Sequence, residues 1–224
     1  MKKLFSTLLI LALVVLLGSP SYAYKKKEAN PTPTASDEST ATPAAENAMP
    51  GMDPMMMEKM KEFMTPNENH AVLNYFAGNW DYSMKWWMKP DAPPEETTGT
   101  SEGKWILDGR FLEQNVRGMS MGQPFEGKAL VGYDNAKKEY KNIWLDNMGT
   151  GLMMSSSSYD PAMKTFTEKG THSCPLEASG EKSYRATITI KDDDHYTYEW
   201  FTTPPNDPTA SEFKAMEINY TRKK

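Results

Sequence analysis

The sequence predicts an all-β protein, an antiparallel up-and-down barrel of about ten strands preceded by a short N-terminal helical segment. Three observations predict it. From Gly78 to the end, apolar residues recur with period two; over residues 182–191, Tyr184, Ala186, Ile188 and Ile190 share one face and Arg185, Thr187, Thr189 and Lys191 the other. Turn residues punctuate this pattern at short intervals: Asp108-Gly109, Gly122 to Pro124, Asp134-Asn135, Asn147 to Gly149, Asp160-Pro161, Gly180 and Asp192 to Asp194. No helix-length periodic segment interrupts the strands, so they read as a meander, and closing it into a barrel removes its edges.

The elements follow in chain order. Residues 1–23 read as a signal peptide. Lys2 and Lys3 precede the ten-residue apolar run Leu8 to Leu17, and Ser21-Tyr22-Ala23 supplies small residues for cleavage after Ala23. Ten apolar residues are too few to span a bilayer, which takes about 20, so no membrane span is expected in the mature chain. The expected location is periplasmic or secreted. Residues 24–51 read as a disordered Pro/Thr/Ala-rich linker that cannot bury enough surface to offset its ordering entropy.

Residues 52–76 read as a Met-rich helical segment. Asp53 is a good N-cap, Pro54 suits the first helical position, and Met56, Met60 and Met64 recur every four residues before Pro66 stops the helix. A second short helix follows, capped by Asn67, with Val72, Leu73 and Phe76 on its apolar side. Residues 77–224 read as the barrel, with strands near 79–89, 96–107, 110–119, 124–133, 139–147, 151–159, 164–171, 182–191, 194–203 and 211–222.

Composition narrows the function. Lys plus Arg total 25 against 30 Asp plus Glu, a net charge of −5, which argues against a nucleic-acid binder. One cysteine excludes a disulfide framework and a cysteine-cluster zinc site. No Gly-rich phosphate loop, Gly-x-Ser-x-Gly elbow or HExxH helix occurs, so an enzyme is not indicated and no cofactor is read.

Gly78-Asn79-Trp80 opens the first strand and Arg222 closes the last. A Gly-x-Trp opening with a near-terminal Arg is similar to the closure of calycin (lipocalin-like) barrels, in which the Arg lies across the Trp ring. Further motifs add to this. Leu107-Asp108-Gly109-Arg110-Phe111, Met121-Gly122-x-Pro124-Phe125-Glu126-Gly127, Gly132-Tyr133-Asp134-Asn135, Trp144 through Gly151 and Tyr220-Thr221-Arg222 resemble a bacterial family of domains of unknown function, number 1579, over about residues 66–224. The resemblance implies a calycin-like fold and carries no chemistry. The Met-rich helix and the Pro/Thr linker depart from the bare family domain.

The lumen is the leading candidate site. Trp80, Tyr82, Met84, Trp86 and Met88 share a face of the first strand that must point inward, while Trp87 breaks the alternation and falls outside, under the Met-rich helix. In the fifth strand Asn142, Trp144 and Asp146 share a face opposite Ile143 and Leu145, so the apolar pattern conflicts. With Trp144 and Asp146 inside, an apolar wall meets a polar anchor, as in ligand pockets. Arg117, facing inward with Glu113 and Asn115, and Arg110 are the candidate partners of that carboxylate. The lumenal set is therefore Trp80, Tyr82, Trp86, Arg117, Trp144 and Asp146, and the expected ligand a small apolar or amphipathic molecule.

Other candidates are weaker. Met52, Met56 and Met60 lie one turn apart, and three thioethers suit Cu(I) in an exported metal-handling protein. The competing reading is an amphipathic helix covering a surface patch or the barrel mouth. His172 and Cys174 share a face with the spacing of a metal or thiol–imidazole pair, against the plainer reading of an incidental exposed pair. Asp192 to His195 read as a solvated hairpin tip. His70 precedes the Gly-x-Trp, where it plugs the barrel end; a haem axial ligand there would lack the deep apolar pocket it needs. A structural or adhesion module at the cell envelope completes the alternatives.

Overall fold

A computed structural model describes residues 53–205, 207 and 209–224. The expected signal peptide, the linker and Met52 lie outside the described residues. The chain forms α1 (Pro54–Met64), α2 (Glu68–Val72), a 3-10 turn over Leu73–Phe76, and ten strands. These are β1 (Gly78–Trp86), β2 (Glu95–Ile106), β3 (Phe111–Ser120), β4 (Gln123–Asp134), β5 (Glu139–Asp146), β6 (Met153–Asp160), β7 (Thr165–Ser173), β8 (Glu181–Ile190), β9 (His195–Thr202) and β10 (Phe213–Arg222). Every strand pairs antiparallel with its sequence neighbours, and β1 pairs with β10, so the sheet closes as an up-and-down barrel.

Closure is set by register and by two side chains, Trp80 and Arg222. Trp80 stands opposite Arg222 and Tyr82 opposite Tyr220. Trp80 is fully buried, and its Nε1 donates to the Phe76 carbonyl at 3.2 Å. Arg222 lies 4.1 Å above the Trp80 ring and donates to the carbonyls of Ala77 at 2.9 Å and Tyr75 at 2.7 Å. Cation–π attraction and charge-assisted hydrogen bonds thereby fasten the helical segment, the first strand and the last strand together. Gly78 takes a φ of +101°, a conformation only glycine adopts cheaply, and the Arg222 guanidinium passes beside it.

An aromatic core joins the plug to the strand ends above it. Phe76, Trp80, Tyr140, Phe166, Tyr196 and Tyr220 pack there; Tyr196 and Tyr220 stack with centroids 4.2 Å apart, and Phe76 meets Tyr196 and Phe166 edge-on. The loops at 107–110, 135–138, 161–164 and 191–194 surround this closed end. The turn at Asp192 to His195 is part of the closure rather than a free tip: its carbonyls accept from the Tyr75 hydroxyl and from Arg222.

The helix α1 does not cover the mouth. None of its residues is buried, and it is held at the closed end by its own C-terminus. Asn135 Nδ2 donates to the carbonyls of Glu62, Phe63 and Thr65, and Arg110 donates to that of Met64, which satisfies carbonyls a helix end leaves open. Trp87 is outside as expected, yet not under α1. It sits at the opposite end, with its backbone N–H on Ala215 and Lys214 over its ring.

Candidate functional site

Strand register assigns every inward side chain. The face carrying Trp80, Tyr82, Met84 and Trp86 continues onto Gly99 and Ser101 of β2, Leu112, Gln114, Val116 and Gly118 of β3, and Phe125, Gly127, Ala129 and Val131 of β4. It then reaches Tyr140, Asn142, Trp144 and Asp146 of β5, Ser155 and Ser157 of β6, Phe166, Glu168, Gly170 and His172 of β7, Tyr184, Ala186 and Ile188 of β8, and Tyr198 and Trp200 of β9.

The two halves of this interior differ. Over β1–β4 the wall is mostly apolar and glycine-rich, with Gln114 and Ser101 as polar members and Ser101 Oγ buried without a partner. Gly99 and Gly118 leave no room for a side chain: a Cβ at either would lie within 2.4 Å of the Tyr82 hydroxyl. The Tyr82 ring therefore lies flat along the wall, across β2 and β3, instead of pointing into the lumen. Trp144 rests on Gly127 in the same way.

Over β5–β9 the wall is polar. Glu168, 3% exposed, lies midway along β7 and accepts from the Tyr184 hydroxyl at 2.8 Å. Burial pushes its carboxyl above the ordinary range, against partial relief from the Tyr184 hydrogen bond and from the Ser155 and Asn142 side chains, which lie near it without making a hydrogen bond of ordinary geometry. Burial also drives the Tyr184 and Tyr198 phenols well up, and lowers His172, whose neutral imidazole packs edge-on against Trp200. Five buried atoms on this wall have no hydrogen-bond partner: Asn142 Oδ1, Ser155 Oγ, His172 Nε2, Trp200 Nε1 and Thr202 Oγ1.

Some inward side chains at mid-barrel keep part of their surface accessible. Ile188, Tyr198 and Ile218 point inward at mid-strand and are only half-buried. Protein surrounds Tyr198 closely enough to shift its phenol, yet does not touch all of its surface. At the open end a cleft of about 370 Å³ lies between Met84, Trp86, Glu95, Thr97, Met119 and Met121. A second, of about 460 Å³, lies between Glu177, Lys182, Thr203 and Pro204.

The residues singled out in the sequence divide sharply. Trp80, Tyr82, Trp86, Trp144 and Asp146 all lie on the inward face, but Trp80 sits at the plugged end, away from the polar wall. Asp146 is at the mouth and already engaged, accepting from Trp144 Nε1 at 2.8 Å and from the Met148 backbone at 2.9 Å. Arg117 is on the outer face with Glu113 and Asn115, contrary to expectation; it is exposed and lies 3.6 Å from Glu126. Arg110 faces the closed end, so neither arginine reaches Asp146.

Met56 and Met60 are exposed on α1, well away from the lumen's polar wall, and Met52 lies outside the described residues. His70 is buried in a capping box, its Nδ1 accepting from the Asn67 backbone at 3.1 Å. His172 and Cys174 are not an exposed pair: His172 lines the lumen, and Cys174 is buried in the loop after β7. Among the described residues, no cluster of His, Cys, Asp and Glu could hold a metal ion.

Sequence reading missed Glu168, although its strand announced it. Thr165, Thr167, Lys169 and Thr171 occupy one face of β7, which leaves Phe166, Glu168, Gly170 and His172 on the other.

The barrel is similar to solved structures. Rv2717c from M. tuberculosis superposes with a TM-score of 0.51 at 12% identity, covering 71% of this chain and all of that one. A redesigned β-barrel gives a TM-score of 0.37 at 14% identity, covering 68% of this chain and 96% of that one. The first likeness concerns the fold alone. No curated protein sequence matches significantly. Residues 65–222 match the family described as protein of unknown function DUF1579, and this chain belongs to that family.

Proposed function

We propose that this protein is an exported binding module whose barrel lumen takes up one small amphipathic molecule. Export rests on the leader read in residues 1–23, and N-terminal sequencing of the secreted or periplasmic chain tests it, with Tyr24 expected first.

One observation carries the binding reading. Five unpartnered polar atoms lie on β5–β9, opposite a mostly apolar, glycine-rich wall on β1–β4 where Ser101 Oγ is the one further unpartnered atom among the described residues. Each unmet buried polar group costs about 1–3 kcal/mol, and such groups are rare in a folded interior. A ligand with one polar end and one apolar side completes both walls at once.

Titration of the full mature chain with Nile red, a neutral solvatochromic dye, tests the reading. A saturable, blue-shifted signal at one dye per chain is expected. Ile188→Trp, which fills the mid-lumen, should abolish it while circular dichroism still reports a folded barrel. Dye binding that never saturates, or that persists in folded Ile188→Trp, would contradict it.

A further inference from the structure

We infer that the molecule held in the lumen carries a protonated amine that pairs with Glu168. The inference rests on the lumenal binding proposed above and adds the chemistry of the ligand's polar end.

Glu168 is a buried carboxyl without a counter-ion. Among the described residues no basic side chain pairs with it, and its close polar neighbours are Tyr184, Ser155 and Asn142. The basic groups on the inward face are committed elsewhere. Lys182, near the mouth, is bound to Glu177 and to the Pro204 carbonyl. Arg222 is held at the plug by the Ala77 and Tyr75 carbonyls. His172 is neutral. An ionised carboxyl buried without a partner is costly, and a ligand cation removes that cost if the remaining hydrogen bonds are also made.

The surrounding atoms fit an ammonium group. It presents three donors and no acceptor. Glu168, Asn142 Oδ1 and Ser155 Oγ offer three acceptors on adjacent strands, and the last two have no partner of their own. Ser155 is 7% exposed and faces the same space as Glu168. The rest of the lining suits the same ligand. Tyr184, Tyr198 and Trp200 supply aromatic faces that attract cations, and the opposite wall receives an alkyl or aryl tail. An alcohol would meet one or two of these acceptors. A carboxylate would bring like charge to Glu168 with no basic group free to receive it.

Competition against Nile red on the full mature chain tests the inference, with dodecylamine, 1-dodecanol and dodecanoate each below its micelle-forming concentration. Dodecylamine should displace the dye at about tenfold lower concentration than dodecanol, the size expected for a hydrogen bond to a charged group, with dodecanoate weakest. In Glu168→Gln, normalised to that variant's own dye affinity, the gap between amine and alcohol should close to about twofold. Equal or better binding of alcohol or carboxylate by the wild type overturns the inference, as does an amine preference that survives Glu168→Gln. Failure of Nile red itself to bind overturns the lumenal reading instead, so the two failures are distinct.

Discussion

The guanidinium of Arg222 lies 4.1 Å from the Trp80 ring although the two residues are 142 positions apart in the chain, because β1 and β10 are register partners at the barrel's seam. The same guanidinium holds the carbonyls of Tyr75 and Ala77, so one side chain joins seam and plug. Arg222→Ala should cost about 2–4 kcal/mol in urea unfolding, since hydrogen bonds to a charged group are lost and the carbonyls of Tyr75, Ala77 and Asp193 lose their donor. Arg222→Lys keeps the charge but not the fork, and should recover less than half of that loss.

Asn135 decides whether α1 docks. Its amide donates to the three carbonyls of Glu62, Phe63 and Thr65, and no residue of α1 is buried. Asn135→Ala should strip hydrogen-exchange protection from residues 54–64 while leaving strand amides such as those of β8 unchanged. Loss of protection throughout the barrel would show instead that Asn135 supports the whole fold.

Gly118 is a seat for Tyr82. A Cβ there would lie 2.3 Å from the Tyr82 hydroxyl and 3.0 Å from the Thr98 carbonyl. Gly118→Ala should destabilise the barrel by about 1–3 kcal/mol, the usual range for overpacking. Tyr82→Phe in the same chain should restore part of it, because the closest clashing atom is then gone, and a double-mutant cycle measures the coupling.

Glu168 gives stability a defined pH dependence. Its folded pKa lies above the unfolded one, so the unfolded chain holds fewer protons as pH rises past the ordinary glutamate range. Its contribution therefore favours folding at low pH and is lost as pH climbs toward the folded pKa. Its titratable neighbours are Tyr184 on β8 and Tyr198 on β9, both held well above neutrality by burial, while Ser155 and Asn142 do not titrate. Glu168→Gln removes this slope and keeps an acceptor for Tyr184. The variant should be at least as stable as wild type at neutral pH, and the two stability curves should converge on acidification.

The strands were legible because period-two alternation and turn residues are local. All ten fall within three residues of their expected bounds, and alternation put Asn142, Trp144 and Asp146 on one face of β5; Ile143 and Leu145 opposite left open which face points inward, and the register with β4 decides it. Arg117 shows where local reading ends. On β3 the outer face carries Phe111 and Met119 and the inner face Leu112 and Val116, so hydrophobicity does not choose between them. The choice is made by Gly99 standing opposite Gly118, where the Tyr82 ring needs space from both strands. The position of α1 was equally hidden, since it depends on hydrogen bonds from Asn135 and Arg110 rather than on an apolar stripe.

Native mass spectrometry of residues 24–224 with Nile red is the sharpest test of a lumenal site. Such a site predicts a single adduct of one dye mass that saturates and is absent from folded Ile188→Trp. A ladder of adducts without saturation, or the same single adduct on Ile188→Trp, would contradict it.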